Sequence, residues 1–216
     1  MKLSNLTKKE IWSVILLVGS YLVFQALADI GATKIVRIHS FTIPAGTFIF
    51  TLTFTLRDML HKRLGKEWAK ATILTAGGLN LVMAMYLQLM AVLPSPKFFE
   101  LGEAWNSIFG LVPSITIASI VAEVISELID TEIYQLWKNR FSKFPQWSRV
   151  LVSNAVSLPI DSLIFAVLAF TFLPLIFGGE SLGISTALGL TMGQIVWKTI
   201  VTVISLPGIY LVKGRD

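Results

Sequence analysis

An all-α integral membrane protein of six transmembrane helices, with both termini cytoplasmic, is what three features of this sequence predict. The 216 residues are 54% hydrophobic and 14% charged, with a mean hydropathy of +0.73. A soluble domain is closer to one-quarter charged. Six stretches approach or exceed the roughly 20 helical residues that cross a hydrocarbon core of about 30 Å. The basic residues collect in alternate connections between them, the pattern of the positive-inside rule.

The spans are expected near 11–30, 41–60, 71–93, 108–137, 150–177 and 183–212. The second meets Arg57 early, so its cytoplasmic end is polar. The fourth and sixth are overlong, which calls for tilt, a break or an interfacial extension. Lys2, Lys8 and Lys9 precede the first span, and Arg57, Lys62, Arg63, Lys66 and Lys70 join the second to the third. Lys138, Arg140, Lys143 and Arg149 follow the fourth, and Lys213 and Arg215 end the chain. The opposite loops hold only Lys34, Arg37 and Lys97. The net charge of +5 therefore reads as topology rather than as a nucleic-acid surface.

Lys8-Lys9, the apolar run and Ala26-Leu27-Ala28 mimic a signal peptide. The run is long for an h-region, and losing it would break the charge alternation, so a retained helix is expected. No linker or low-complexity segment divides the chain, which predicts one six-helix domain over 1–216. Pro94-Ser95-Pro96-Lys97 opens the longest external loop, and 98–105 is a candidate surface segment. Trp137 and Phe144-Pro145-Gln146-Trp147 are candidate interfacial anchors. Pro113, Pro159, Pro174 and Pro207 fall inside spans, where a freed carbonyl is tolerable beside a cavity or a neighbouring helix.

Carboxylates recur in the fourth and fifth spans in similar wording. Ser126-Glu127-Leu128-Ile129-Asp130-Thr131-Glu132-Ile133-Tyr134 is echoed by Ser157-Leu158-Pro159-Ile160-Asp161-Ser162-Leu163-Ile164-Phe165. A charge at a bilayer centre costs about 2.5–3.5 kcal/mol on insertion scales, so such residues point to a polar pathway or pocket. A true structural repeat and a chance match in apolar sequence are both open readings.

Glu123, Glu127, Asp130 and Tyr134 are spaced i, i+4, i+7, i+11 and share one helix face. Either they line a cavity, or the span ends near Ala122 and they are solvated on a cytoplasmic extension. Asp161 lies about 18 Å into its helix from Arg149, near mid-membrane. Asn154 and Ser157 share its face, and Ser153 is adjacent. Lys198, midway along the last span with Thr191, Gln194 and Thr202 beside it and Trp197 next in sequence, is its natural partner; Glu127 is the other candidate. A purely structural ion pair is the competing reading. Asn80 and Gln88 add amides in the third span, although an amide there commonly bonds a neighbouring helix.

The candidate substrate-binding set is thus Asn80, Glu127, Ser153, Asn154, Asp161, Gln194, Trp197 and Lys198. Asp58, Glu123 and Asp130 are candidates for a gate or a proton-coupling position. Arg57-Asp58 with His61, Lys62 and Arg63 reads foremost as a cytoplasmic charge cluster. Asp29 ends the first span beside Ala28-x-x-x-Ala32, a weak small-residue packing motif. No enzyme is expected, and no catalytic residue, metal site or cofactor. Cysteine is absent, His39 and His61 fall on opposite sides of the membrane, and no hydrolase, P-loop or dinucleotide fingerprint occurs.

The segments Pro44-Ala45-Gly46-Thr47-Phe48, Leu56-Arg57-Asp58, Gly65, Leu79-Asn80-Leu81, Ala118-Ser119 and Ser126-Glu127 come in the order of a known family. So do Ser153, Ile160-Asp161-Ser162-Leu163-Ile164-Phe165-Ala166, Ala169-Phe170, Trp197-Lys198 and Leu206-Pro207. Across nearly the whole chain they resemble the queuosine precursor transporter family, also called the vitamin uptake transporter family. The resemblance implies import of deazaguanine bases, cyano- or aminomethyl-substituted, across the cytoplasmic (inner) membrane. It implies an aspartate at Asp161, a lysine at Lys198 and an acid or amide at Glu127. Leu158, where relatives often carry Gln or Asn, and Glu123 depart from the pattern and leave a variant heterocycle open.

A guanine-like edge offers adjacent N–H donors that one carboxylate accepts, a carbonyl for Lys, Asn or Gln, and faces that stack on aromatics. Glu127 or Asp161 would take the donor edge, Asn80, Gln194 or Lys198 the carbonyl, and Phe165 or Trp197 a face. The expected partners are a small purine-like base and the lipid bilayer, with a homo-oligomer or an ATPase module as further candidates and no nucleic acid. Two alternatives remain beside an autonomous transporter: the substrate-binding subunit of an energy-coupling-factor importer, and a non-transporting membrane assembly protein.

Overall fold

Helices account for most of the chain, and they are inside-out relative to a soluble protein. The computed structural model describes residues 7–141, 143–177 and 179–212. Lys2, Lys213 and Arg215 of the charge pattern lie outside the described residues. So do the side chains of Lys66, Thr131, Tyr134, Lys138 and Gln146.

Helix α1 (Lys8–Gly31) starts at a capping box, in which Thr7 and Glu10 satisfy each other's backbone donors. A hairpin of β1 (Ile35–Ile38) and β2 (Phe41–Pro44) follows, then α2 (Thr47–Leu64) and α3 (Lys66–Val92). The short α4 (Gly102–Phe109) precedes α5 (Val112–Arg140) and α6 (Gln146–Val167). A π-helical turn (Leu168–Phe172) joins α6 to α7 (Leu173–Phe177), and α8 (Gly183–Ser205) runs into a 3₁₀ turn (Leu206–Leu211). Helix α6 continues through Pro159 without ending.

Among the described residues, five helical stretches are long and apolar enough to cross a membrane: Lys8–Gly31, Glu67–Val92, Gly102–Asp130, Trp147–Phe177 and Gly183–Gly208. The span expected at 41–60 is different. Its first four residues are β2, paired antiparallel with β1 in the register Ile35↔Pro44 to Ile38↔Phe41. His39 takes the positive φ (54°) that a two-residue hairpin turn demands. From Thr47 to Arg57 the remaining helix covers only about 15 Å, half a hydrocarbon core.

Helices α5 and α6 pack along much of their length, α1 lies on α2, and α8 contacts α6, α2 and β2. Large apolar side chains face outward, among them Leu74, Met85, Ile204 and Leu211. Alanines and polar groups fill much of the interior. Lys198, Gln25, Gln194 and Tyr21 are among the largest fully buried side chains. This is the burial pattern expected of a protein whose solvent is lipid.

Two glycines seat the hairpin. A Cβ on Gly46 would overlap the Ala28 carbonyl, so α1 and the start of α2 touch there backbone to backbone. A Cβ on Gly193 would meet the Thr42 carbonyl oxygen at 2.5 Å and Ile43 Cγ2 at 2.6 Å. Only glycine lets β2 lie this close to α8. Ala28 and Ala32 are buried, facing Gly46 and the interior rather than lipid. The small-residue motif is therefore used for packing inside the chain.

Candidate polar cavities in the bundle

The stripe on α5 distributes its carboxylates over three neighbours. Glu123 Oε1 accepts from Tyr21 Oη (2.7 Å) and Gln25 Nε2 (2.9 Å), both on α1. Glu127 accepts from Arg57 Nη1 of α2 at 3.0 Å. Asp130 accepts from Ser157 Oγ of α6 at 3.1 Å and lies 3.8 Å from Arg57. Arg57 also stands 3.7 Å from Asp58 and 5.4 Å from the Phe54 ring centroid. The segment that read as a solvated cytoplasmic cluster thus supplies a guanidinium shared by three carboxylates.

Deeper in the bundle, Lys198 Nζ of α8 donates to Asp161 Oδ2 of α6 at 2.5 Å. Both residues are at most 1% exposed. Of the two partners considered for Lys198, the structure joins it to Asp161; Glu127 is held by Arg57. Ser126 Oγ lies 3.3 Å from Asp161 Oδ1 and 3.1 Å from the Glu123 carbonyl, one proton serving two acceptors. The Lys198 ammonium sits 5.0 Å from the Phe50 ring centroid, a cation–π contact at a buried position.

Asp161 lies between two cavities. The larger takes in about 330 Å³ of space, part of it open to the outside, and is walled by Ala28, Asp29, Ala32, Pro44, Gly46, Thr47, Phe50, Ser119, Ala122, Asp161, Phe165, Gln194 and Lys198. The smaller, about 200 Å³, is walled by Phe54, Arg57, Ser126, Asp130, Asn154, Ser157, Leu158 and Asp161. The Asp161 carboxylate is the ionisable group common to both. In the larger cavity the buried Gln194 amide nitrogen has no hydrogen-bond partner among the described residues. A buried amide normally has one, so this donor is available to whatever enters.

The candidate residues divide accordingly. Asp161, Gln194 and Lys198 wall the larger cavity, and Asn154, Asp130 and Asp161 the smaller. Asn80 is one step removed, its amide donating to Asp29 Oδ2 at 3.1 Å. Ser153 turns back to the Val150 carbonyl at 3.3 Å. Trp197 packs edge-on against Phe48, with ring centroids 5.4 Å apart, and its buried Nε1 has no described partner. Phe165, the other candidate for stacking, does wall the larger cavity. Gln88 stays apart from these networks, its Oε1 buried without a described partner.

Asp29 is a wall of the larger cavity that its place at the end of a span conceals. It accepts from Asn80 and from Thr116 Oγ1, each at 3.1 Å. Tyr21, Gln25 and Asp29 repeat at i, i+4, i+8 on an otherwise apolar helix. That spacing is the signal by which sequence can find them.

Comparison with known proteins was made against this geometry. A family described as "Putative vitamin uptake transporter" matches residues 44–212. A protein of Bacillus subtilis (strain 168) named "Probable queuosine precursor transporter" is 26% identical over 191 residues, which cover 86% of this chain and 78% of that protein. No solved structure matches.

Proposed function

The chain belongs to the vitamin uptake transporter family, as a multi-pass membrane protein, and we propose that it imports queuosine precursors, the cyano- and aminomethyl-substituted deazaguanine bases. The observation that carries this reading is the buried Asp161–Lys198 pair walling a cavity in which the Gln194 amide has no partner. A pair of opposite charges neutralises the empty site. A base that brings its own paired donors and a carbonyl replaces both halves at once. Its ring N–H and amino edge goes to Asp161, and its carbonyl to Lys198 or Gln194. Phe165 and Phe50 supply flat apolar walls. The name of the Bacillus subtilis relative supports the same substrate class.

In this reading α2 and the hairpin together make the sixth crossing, and both termini are cytoplasmic. The alternating basic residues support that topology. The smaller cavity below Asp161, with Arg57 and Asp130 in its wall, gives the base an exit once the ion pair has opened.

Uptake of labelled deazaguanine by cells that lack their own importer and express this chain alone tests the proposal. Accumulation is expected. Asp161→Asn should abolish it while the protein remains in the membrane, and unchanged uptake would sink the assignment. Accumulation only with co-expressed ATPase subunits would instead mark a subunit of an energy-coupled importer. None in either case would mark an assembly protein.

A further inference from the structure

The walls of the larger cavity hold more acidic than basic side chains. Two carboxylates, Asp29 and Asp161, and one ammonium, Lys198, line it. Lys198 is committed to Asp161. Asp29 is 2% exposed, and its hydrogen bonds come from neutral donors, the Asn80 amide and the Thr116 and Ser119 hydroxyls. No ion pair reaches it among the described residues. Buried charge without a counter-charge is costly, so such a group is normally paired or functional. The unpartnered Gln194 amide in the same cavity independently marks the space as made for a polar ligand.

We infer that Asp29 is the specificity-determining residue of this cavity, and that it receives a protonated alkylamine carried by the heterocycle. The inference rests on the transport reading above and deepens it. Asp29 and Asp161 wall the same cavity, so a base held through its donor edge at one carboxyl has the other within the same space for a substituent. A cationic arm there completes the balance of two negative and two positive groups. A neutral arm leaves Asp29 uncompensated. Asn80 and Thr116 are positioning residues, holding the carboxylate from α3 and α5.

The test compares two nearly isosteric probes, deazaguanine bearing an aminomethyl arm and deazaguanine bearing a hydroxymethyl arm, in uptake by cells expressing the full chain. The unmodified protein should favour the aminomethyl base by about tenfold or more, as expected when one buried charge is paired or left alone. Asp29→Asn should erase that preference by lowering uptake of the aminomethyl base more than that of the hydroxymethyl base, and Asp29→Glu should retain it. Equal handling of the two bases by the unmodified protein overturns the inference without any variant being needed. Loss of both activities in parallel in a membrane-inserted Asp29→Asn protein overturns it as well, because that marks a structural role. If the unmodified protein transports neither base, the transport reading fails and takes this inference with it. If it transports only the neutral one, this inference alone fails.

Discussion

Two charged centres meet α5 and α6 within a few turns, and they are built on opposite plans. Asp161 and Lys198 form a one-to-one pair, with side-chain exposures of 1% and 2%, and a serine and an aromatic ring complete the surroundings. Arg57 is one cation among three carboxylates, with side-chain exposures of 13% for Arg57 and 16–24% for its partners. Removing half of the first centre leaves an unpaired charge at a buried position. Removing one carboxylate from the second leaves the guanidinium two others and some access to solvent. The first is therefore suited to exchange its partner for a ligand, and the second to hold helices together while contacts are rearranged.

Breaking the comparison at its stiffest point should give the largest effect. Lys198→Met is expected to cost about 3–5 kcal/mol, since it strands a buried carboxylate. Adding Asp161→Asn should recover much of that stability without recovering uptake, and thermal unfolding in detergent of the singles and the double measures the coupling. Arg57→Met should cost less, about 1–2 kcal/mol after allowance for partial exposure. Smallest are Glu127→Gln and Asp130→Asn, each about 1 kcal/mol or less, because Arg57 keeps its remaining partners and the new amide oxygen still accepts. If Glu127→Gln proves as damaging as Lys198→Met, the distinction between a brittle pair and a redundant cluster is wrong.

The reach of sequence reasoning follows the same contrast. Asp161 and Lys198 were legible because each is a lone charge deep in an apolar run, with no soluble segment to explain it. Arg57 was not. It stands against Asp58, His61, Lys62 and Arg63, and such a run reads as a cytoplasmic surface until the fold turns one member inward. Asp29 was hidden by its position at a span end, where a charge costs little and asks for no explanation. The hairpin was hidden differently. Its strands are four residues each, and the second is continuous in hydropathy with the helix after it, so no compositional edge marks Phe41–Pro44. The extent of the helices was legible because it depends on hydropathy summed over many residues. The hairpin depends on two close backbone approaches, at Gly46 and Gly193, that no pattern of apolar residues encodes.

The hairpin also decides how the larger cavity can open. Pro44 and Gly46 are among its walls, and they are the continuation of a hydrogen-bonded ladder whose next rung is the Ala45 amide on the Lys34 carbonyl, at 2.7 Å. Ile43, fully buried, rests where Gly193 leaves a notch in α8. A side chain can swing by degrees, but a ladder of this kind parts or holds as a unit. A ligand entering through this wall would have to part backbone pairing and not only turn the side chain of one gatekeeper.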